Sequence, residues 1–509
     1  MTVYVVTAGQ AARRDQAAIA AGTPSRELMR RAGEAAARVL TRRLPDEARR
    51  GVRVFCGGGN NGGDGWILAA TLRRAGFPVE VESVSEPATA DARWAREQMP
   101  GANEPARLSD GPGVVVDAIL GTGAKGELRE PVAGAAREID RLRAHSARVV
   151  ALDMPTGVDA DEGARDNGVT ADLTISMGTV KRGQLLARGS CGDVVVVDIG
   201  LGPSAELEDG APSLVDVATV RREVPRFGVE AHKGTRKRVL MVGAAPGMAG
   251  ALSFAARSAF RSGVGMVRFS GHEASLTALQ TLVPQATATP WPAPNDYAAA
   301  QSWPHALLIG PGFGVDAEAR GRAESWLRSW RGPVVVDADA LGCFGSDLPA
   351  LGALLEGRPA LLTPHAVEAS RLLAIPVQDV LSRRFEVVHE LARQTRACIV
   401  LKGVPTLVAA HGYGARVVAR GTPVLAQGGS GDALSGIAAT LLAQTEDAFV
   451  AGSCASWVHG RAGEIAAAGR SFRGVDLDAV LDALPHAWRL DGERLEPEEL
   501  AALPGVSVA

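Results

Sequence analysis

Two glycine runs, Gly57-Gly58-Gly59-Asn60-Asn61-Gly62-Gly63-Asp64-Gly65 and Gly428-Gly429-Ser430-Gly431-Asp432, each deliver an aspartate into a helix-like stretch. The first follows the strand-like run Val52 to Cys56; the second follows an irregular segment, Gly421 to Gln427. A helix N-terminus leaves N–H groups unpaired and carries the positive end of the helix dipole, so bare backbone there suits a phosphate. Glycine lets that backbone come close and take φ > 0. Two such turns on one chain point to an α/β protein with two phosphate-handling sites.

At 509 residues the chain exceeds one ordinary core, so two or more domains are expected. A net charge of −3 gives no reason to expect nucleic acid or an anionic membrane as partner. The five cysteines, Cys56, Cys191, Cys343, Cys398 and Cys454, form no CxxC pair, which argues against a zinc site or disulfide framework and for a cytoplasmic location. Arg13, Arg14 and Asp15 fall where a signal peptide needs its apolar core, and no long charge-free apolar stretch predicts a membrane span. Only five of the 54 basic residues are lysine: Lys125, Lys181, Lys233, Lys237 and Lys402. Four of these stand at or near a glycine. A compact ammonium suits a tight anion pocket better than a planar guanidinium does.

Two amphipathic helical patterns open the chain, from about Ala8 to Ala21 and from Ser25, read as an N-cap. Short apolar runs then alternate with helical stretches: Val52–Cys56, Val79–Ser83, Val114–Ala118, Val149–Leu152, Leu173–Ser176 and Val194–Asp198. This pattern predicts a parallel sheet covered on both faces, with ligands beyond the carboxyl ends of its strands. Gly200 to Glu230 has Gly, Pro and acidic residues and little periodicity, and reads as the inter-domain connection. A second series follows from about His232, with strands at Val239–Val242, Met266–Ser270, Ala306–Ile309, Val334–Asp337, Ala360–Thr363, Cys398–Leu401, Thr406–Ala410 and Arg416–Ala419. The last twenty residues or so read as a poorly ordered tail.

In the first series three aspartates, Asp64, Asp117 and Asp153, gather at strand ends, where acids repel unless a cation or ligand donor neutralises them. Asn60-Asn61-Gly62-Gly63-Asp64-Gly65, Asp117 to Gly123, Asp153-Met154-Pro155-Thr156-Gly157 and Met177-Gly178-Thr179-Val180-Lys181 together resemble the YjeF-type N-terminal domain of NAD(P)HX epimerases. The resemblance implies a Rossmann-like three-layer domain over residues 1–211 that epimerises hydrated nicotinamide dinucleotides at C6 and binds potassium. It implies that Asn60, Asn61, Gly62, Gly63 and Asp64 cradle substrate phosphate, and that Gly121, Thr122, Gly123, Ala124, Lys125, Gly126 and Glu127 line the substrate. Asn61, Asp117 and Thr156 would contact potassium, and Asp153 would be the acid/base group.

In the second series Asp432 starts a helix beside backbone donors, so it can take a proton from a substrate hydroxyl while N–H groups stabilise a transferring phosphoryl group. Lys402, closing a buried-type strand, is placed to meet another phosphate. His365 with Glu368, and Asp337 with Asp339, are candidates for the same cleft, whereas His459 reads as packing. His232-Lys233-Gly234, Ala249-Gly250-Ala251, Gly310-Pro311-Gly312-Phe313-Gly314, Thr363-Pro364-His365, Lys402-Gly403 and Gly428 to Gly436 resemble the ribokinase-like ADP- or ATP-dependent NAD(P)HX dehydratases. From that family, Ala251, Gly314, His365 and Asp432 would contact the hydrated dinucleotide, with Asp432 the base. Lys402, Gly403, Val404, Pro405, Thr406 and Gly431 would bind the adenine nucleotide, with magnesium as its counter-ion.

The expected chain is thus an epimerase domain at 1–211, a linker at 212–219, a ribokinase-like α/β dehydratase domain at 220–488 and a tail at 489–509. Its partners would be NADHX or NADPHX and ADP or ATP, with no nucleic acid or membrane, in a homo-oligomer. Two alternatives stay open: a kinase of a vitamin-precursor alcohol in the second half, and a non-catalytic binding module in the first.

Overall fold

The computed structural model describes residues 2–99, 108, 111–165, 167–202, 210–292, 302–490 and 495–505. The chain divides into two units, Met1–Leu214 with Arg494–Ala509, and Val215–Glu493.

The first unit is built on a sheet of order Val79–Ser83, Val52–Cys56, Val114–Ala118, Arg148–Leu152, Leu173–Met177, Asp193–Val197, Glu499–Leu503. Neighbours are parallel except the last pair. Every residue of Val114–Ala118 and of Leu173–Met177 is buried, as a sheet covered on both faces requires. Successive strand residues point to opposite faces. Val54, Val116, Leu152 and Ile175 therefore pack with helices Ser25–Arg43 and Asn60–Arg74, while Phe55, Val115, Val149 and Ala151 pack with helix Val132–Ala144. The result is the expected three-layer arrangement. Strand order reverses between Val52–Cys56 and Val114–Ala118, so the crevice beyond their carboxyl ends is the topological switch point.

Two local expectations are corrected. Ser25 is the first helical residue, not the cap; Pro24 takes the cap position with no side-chain bond. The better cap lies earlier, where Thr7 and Gln10 form a reciprocal capping box on helix Ala8–Ala20. The tail is also corrected over Glu499–Leu503, which adds an antiparallel strand to Asp193–Val197. Glu499 is 6% exposed, with its carboxylate 3.2 Å from Arg42 and 3.6 Å from Arg43. Residues 491–494 and 506–509 of the expected tail, and residues 203–209 of the expected connection from Gly200 to Glu230, lie outside the described residues. Within the expected linker at 212–219, Asp216 caps helix Val217–Glu223.

The second unit carries strands in the order Thr287–Pro290, Met266–Gly271, Arg238–Gly243, Ala306–Ile309, Val334–Val336, Ala360–Leu362, Cys398–Leu401, Thr406–Ala409, Arg416–Val418. They are parallel as far as Cys398–Leu401, and the last two turn back antiparallel. One face, through Val239, Met241, Leu308, Val335 and Val400, packs with helices Ala249–Arg261, Ser430–Thr445 and Ala448–Ala467. The alternate residues Leu240, Val242, Ile309, Val336 and Leu401 are buried as well. Here the order reverses between Arg238–Gly243 and Ala306–Ile309. The turns beyond those two strands are bonded, Ala244 N–H to Pro311 O at 3.2 Å and Ala245 N–H to Gly312 O at 2.7 Å. Thr287–Pro290 was not expected as a strand; it is a mostly exposed edge of polar composition. Among the described residues no helix is long and apolar enough to cross a membrane.

Candidate active sites

In the first unit a cleft of about 490 Å³ opens at the switch point, within the roughly 300–1,000 Å³ common for small-molecule sites. Asn60, Asn61, Asp64, Gly121, Thr122, Gly123, Ala124, Asp153 and Lys181 line it. Lys125, Gly126 and Glu127 line an adjoining cavity of about 800 Å³ that shares Leu120, Ala124 and Val132 with the first.

The glycine run is not a loop throughout. Asn60 to Gly65 already form the first turns of helix Asn60–Arg74, whose N-terminus has no side-chain cap. The glycines divide by what surrounds them. A Cβ at Gly57 would stand 2.0 Å from Ile119 O, and one at Gly62 1.8 Å from Gly57 O, whereas one at Gly59 meets nothing within 4 Å. Gly62 and Gly63 are buried, Gly63 against the Met29 sulfur, so close packing by itself requires glycine at both. Gly59 presents open backbone at the helix start.

Beneath the cleft, Asp117 is 0% exposed. Its carboxylate accepts from Thr156 N–H and from the Thr156 hydroxyl, both at 2.7 Å, and from Ile119 N–H at 3.2 Å. Burial lifts its pKa to about 6 in spite of those donors. Leu120 N–H donates to Thr156 Oγ1 at 3.1 Å, and Asn61 Nδ2 donates to Leu120 O at 3.0 Å. That bond orients the Asn61 amide and leaves its Oδ1 buried with no partner among the described residues. Asn61, Asp117 and Thr156 are thus joined through Leu120, and an oxygen-seeking cation fits the orphaned amide oxygen.

Asp153 has φ +61, a strained left-handed value for a residue other than glycine. This turns its carboxylate onto Lys181 Nζ and to 3.1 Å from Met177 N–H. Lys181 is 2% exposed and also donates to Ser176 Oγ at 3.2 Å and to the carbonyls of Met177 and Thr179 at 3.3 Å. Asp64 has no hydrogen-bond partner among the described residues. Burial, then the charges of Asp153 and Asp15, hold it well above the usual carboxylate range against the pull of Lys181. Asp15, another residue of the cleft wall, is exposed to solvent, but the crowding of its carboxyl by the wall pushes its pKa up to about 6, with Lys181 opposing and Asp153 adding. Lys181 and Asp15 had no assigned role from sequence; the scarcity of lysine was the signal for the first, and nothing marked the second.

In the second unit helix Ser430–Thr445 begins after Gly429, which has φ +87 and gives no side-chain cap. Helix Ala249–Arg261, which carries Ala251, supports it closely: a Cβ at Gly436 would fall 1.9 Å from Ala255 O. Asp432 lies half-buried in the first turn with no hydrogen-bond partner among the described residues. Its pKa is raised to about 7 by burial and then Asp337, with Lys402 opposing and Asp339 and Glu368 adding. Asp337 is 1% exposed and accepts from Lys402 Nζ at 3.0 Å and from the Ser435 hydroxyl. Burial disfavours its charge, but Lys402 and Ser435 outweigh that and hold its pKa down. Burial works against the Lys402 charge too, and Asp337 outweighs it.

Asp339 accepts from Gly314 N–H at 3.0 Å, tying the turn after Ile309 to this acid cluster. His365 caps helix Ala366–Leu373: its Nδ1 accepts from Val367 N–H at 3.1 Å and Glu368 N–H at 3.3 Å, while its ring stays exposed at the rim. Glu368 Oε2 returns to His365 N–H at 2.8 Å and lies 3.8 Å from Lys402 Nζ. Gly431 approaches the same ammonium, since a Cβ there would lie 3.3 Å from Lys402 Nζ. Val404, in the turn between Lys402 and Thr406, is 59% exposed. His459 is more than packing, because its Nε2 stands 3.3 Å from Ser430 Oγ at the start of the Asp432 helix. Lys181 and Lys402 both meet aspartates at strand ends, so the anions in their pockets include the protein's own.

Both units are α/β modules with acidic residues gathered at the carboxyl ends of parallel strands, and in the first a polar cleft opens there. Residues 25–183 match the family described as YjeF-related protein N-terminus, and residues 239–486 that described as NAD(P)H-hydrate dehydratase. The bifunctional NAD(P)H-hydrate repair enzyme of Pyrobaculum aerophilum is 34% identical over 92% of this chain and 95% of its own length. That of Escherichia coli is 32% identical over 92% and 91%. A crystal structure of the ADP/ATP-dependent NAD(P)H-hydrate dehydratase of Bacillus subtilis, co-crystallised with ATP/Mg2+, is 28% identical with a TM-score of 0.48, covering 55% of this chain and 99% of that one. The chain belongs to the family of bifunctional NAD(P)H-hydrate repair enzymes. The kinase and binding-module alternatives give way to these matches.

Proposed function

We propose that the first unit interconverts the R and S forms of hydrated NADH or NADPH, and that the second dehydrates the S form with ADP or ATP. The observation that carries the reading is Asp432: a half-buried carboxylate at an uncapped helix start, titrating at about 7, above the Asp337–Lys402 pair. Asp432 takes the proton of the C6 hydroxyl, and that oxygen attacks the terminal phosphate of the nucleotide, releasing AMP or ADP. The helix N-terminus stabilises the transferring charge. The ring nitrogen then expels phosphate from C6, and loss of the C5 proton restores the dihydronicotinamide. Phosphate leaves where hydroxide would not.

Ala251, Gly314 and His365 border the hydrate end, and Lys402 to Thr406 with Gly431 the nucleotide end. Magnesium supplies counter-charge to the nucleotide phosphates. In the first unit Asp153, poised on Lys181, is the acid/base group at the C6 oxygen: it gives a proton to the hydroxyl as the ring nitrogen expels water, and takes one back as water re-adds to C6 from either face. Asn60, Asn61, Asp64 and Gly121 to Glu127 border the dinucleotide. Asn61 Oδ1, Asp117 and Thr156 would hold potassium, which supplies positive charge beside the buried acid. The five cysteines are free, which supports action in the reducing cytoplasm. Assembly into a homo-oligomer belongs to the same proposal, and light scattering reads it.

Racemic NADHX with ADP and magnesium tests the whole. Regained absorbance should match released phosphate and consume both epimers. Asp432→Ala should abolish ADP-dependent recovery and leave epimerisation intact, and Asp153→Ala should leave the R form unrepaired. Recovery that persists in Asp432→Ala refutes the assignment of the base.

A further inference from the structure

Arg384 is the first residue of helix Arg384–Thr395, is 5% exposed, and reaches under the turn that follows Leu401. Its Nη2 donates to Lys402 O at 3.2 Å and its Nη1 to Val404 O at 3.0 Å. Gly403, between them, has φ +147, and a Cβ there would fall 2.2 Å from Arg384 Nη2. The guanidinium is therefore pressed against bare backbone. No carboxylate among the described residues pairs with it, and its buried Nε has no partner. Burial alone lowers its pKa to about 10.

Arg358 provides the contrast. It too donates only to carbonyls, those of Leu327, Trp330 and Leu354. Those carbonyls end helices Ala319–Ser329 and Leu348–Leu355, whose negative poles face it. Burial and Arg331 still lower its pKa to about 10, and its Nε is likewise without a partner among the described residues, so the difference lies in the helix ends. The carbonyls of Lys402 and Val404 end no helix. A buried cation left without an acid is costly unless an anion arrives.

We propose that Arg384 is a positioning residue for the nucleotide. It fixes the backbone from Lys402 to Val404 from below, and its unanswered charge favours a polyphosphate above the turn. The inference rests on the reading that this turn binds ADP or ATP.

The test compares Arg384→Met, Arg384→Lys and Lys402→Met in the full chain. Arg384→Met should raise KM for ADP about tenfold or more, the usual scale for loss of an outer supporting contact, with KM for the S hydrate within about twofold. Arg384→Lys keeps charge but loses the two-carbonyl fork, and should fall between Arg384→Met and wild type; this holds the test should Arg384→Met not fold. A nucleotide KM unchanged in both Arg384 variants while Lys402→Met raises it overturns the role of Arg384 alone. A nucleotide KM unchanged in all three overturns the nucleotide reading of the turn as well. Equal rises in both KM values with a lowered melting point mark Arg384 as structural and also overturn the proposal.

Discussion

Lys402 Nζ lies 3.0 Å from Asp337 Oδ1, and the two are set below the helix that carries Asp432. One ammonium thus answers a buried acid while two further carboxylates, of Glu368 and Asp432, share its field. Asp337 is its nearest partner, and the ammonium lowers Asp432 less than burial and Asp337 raise it. The base is left near neutrality, where general-base catalysis is most effective.

The pH profile follows from that balance. Asp432 works only unprotonated, and it titrates at about 7. ADP-dependent dehydration of the S form should climb with pH up to about 7 and level off above. Asp337→Asn removes the larger charged cause of the elevation and leaves Lys402 unanswered, so the climb should move to lower pH. Initial rates at saturating ADP across neutrality measure it; a midpoint unmoved by Asp337→Asn contradicts the account.

Lys181→Met strips the ammonium from Asp153 inside the first unit. Breaking one side of a buried ion pair costs about 3–5 kcal/mol, so melting should fall sharply and epimerisation should be lost. Adding Asp153→Asn to Lys181→Met should recover much of the stability and none of the activity. If the double variant melts no higher than the single one, the pair does not hold the site.

The glycines beyond Cys56 should separate cleanly. Gly62→Ala drives a methyl to 1.8 Å from Gly57 O, and overpacking of this kind costs about 1–3 kcal/mol or more. Gly59→Ala adds a methyl in open space at φ −89, at about 1 kcal/mol or less. It should fold normally yet raise KM for the hydrate. Thermal melts and epimerisation kinetics on both variants decide the matter.

Much of this was readable from residue patterns, because parallel strands of Val, Ile and Leu buried on both faces announce themselves. Val52–Cys56, Val114–Ala118, Ala306–Ile309 and Cys398–Leu401 fall where the apolar runs fall, and the alternating edge Val79–Ser83 where Val alternates with Glu. Thr287–Pro290 and Glu499–Leu503 did not, since neither segment has strand character of its own and each is made by a neighbour's open edge. At the sites, residue type and spacing marked the acids and the lysines. Pairings that depend on side chains meeting across the fold stayed hidden: Lys181 with Asp153, Ser435 with Asp337, Asp339 with Gly314. The left-handed turn at Asp153 was equally invisible, because its strain comes from contacts made only after folding.

Deleting residues 491–509 should harm the first unit, not the second. It uncovers the edge of Asp193–Val197 and strands Arg42 and Arg43 without Glu499. Epimerisation should become heat-labile while dehydration of pure S hydrate continues. Equal thermal inactivation curves for the epimerase activity of full and shortened chains would show the strand to be dispensable.

The position of Glu499–Leu503 also sets an order on biosynthesis. A ribosome completes the first sheet only when Glu499–Leu503 is made, after the whole intervening unit has emerged. Until then the nascent chain carries an open β-edge, the kind of surface that recruits chaperones or sticks to other chains. Premature termination anywhere in the second half would therefore leave the first half flawed too, with the edge of Asp193–Val197 unpaired.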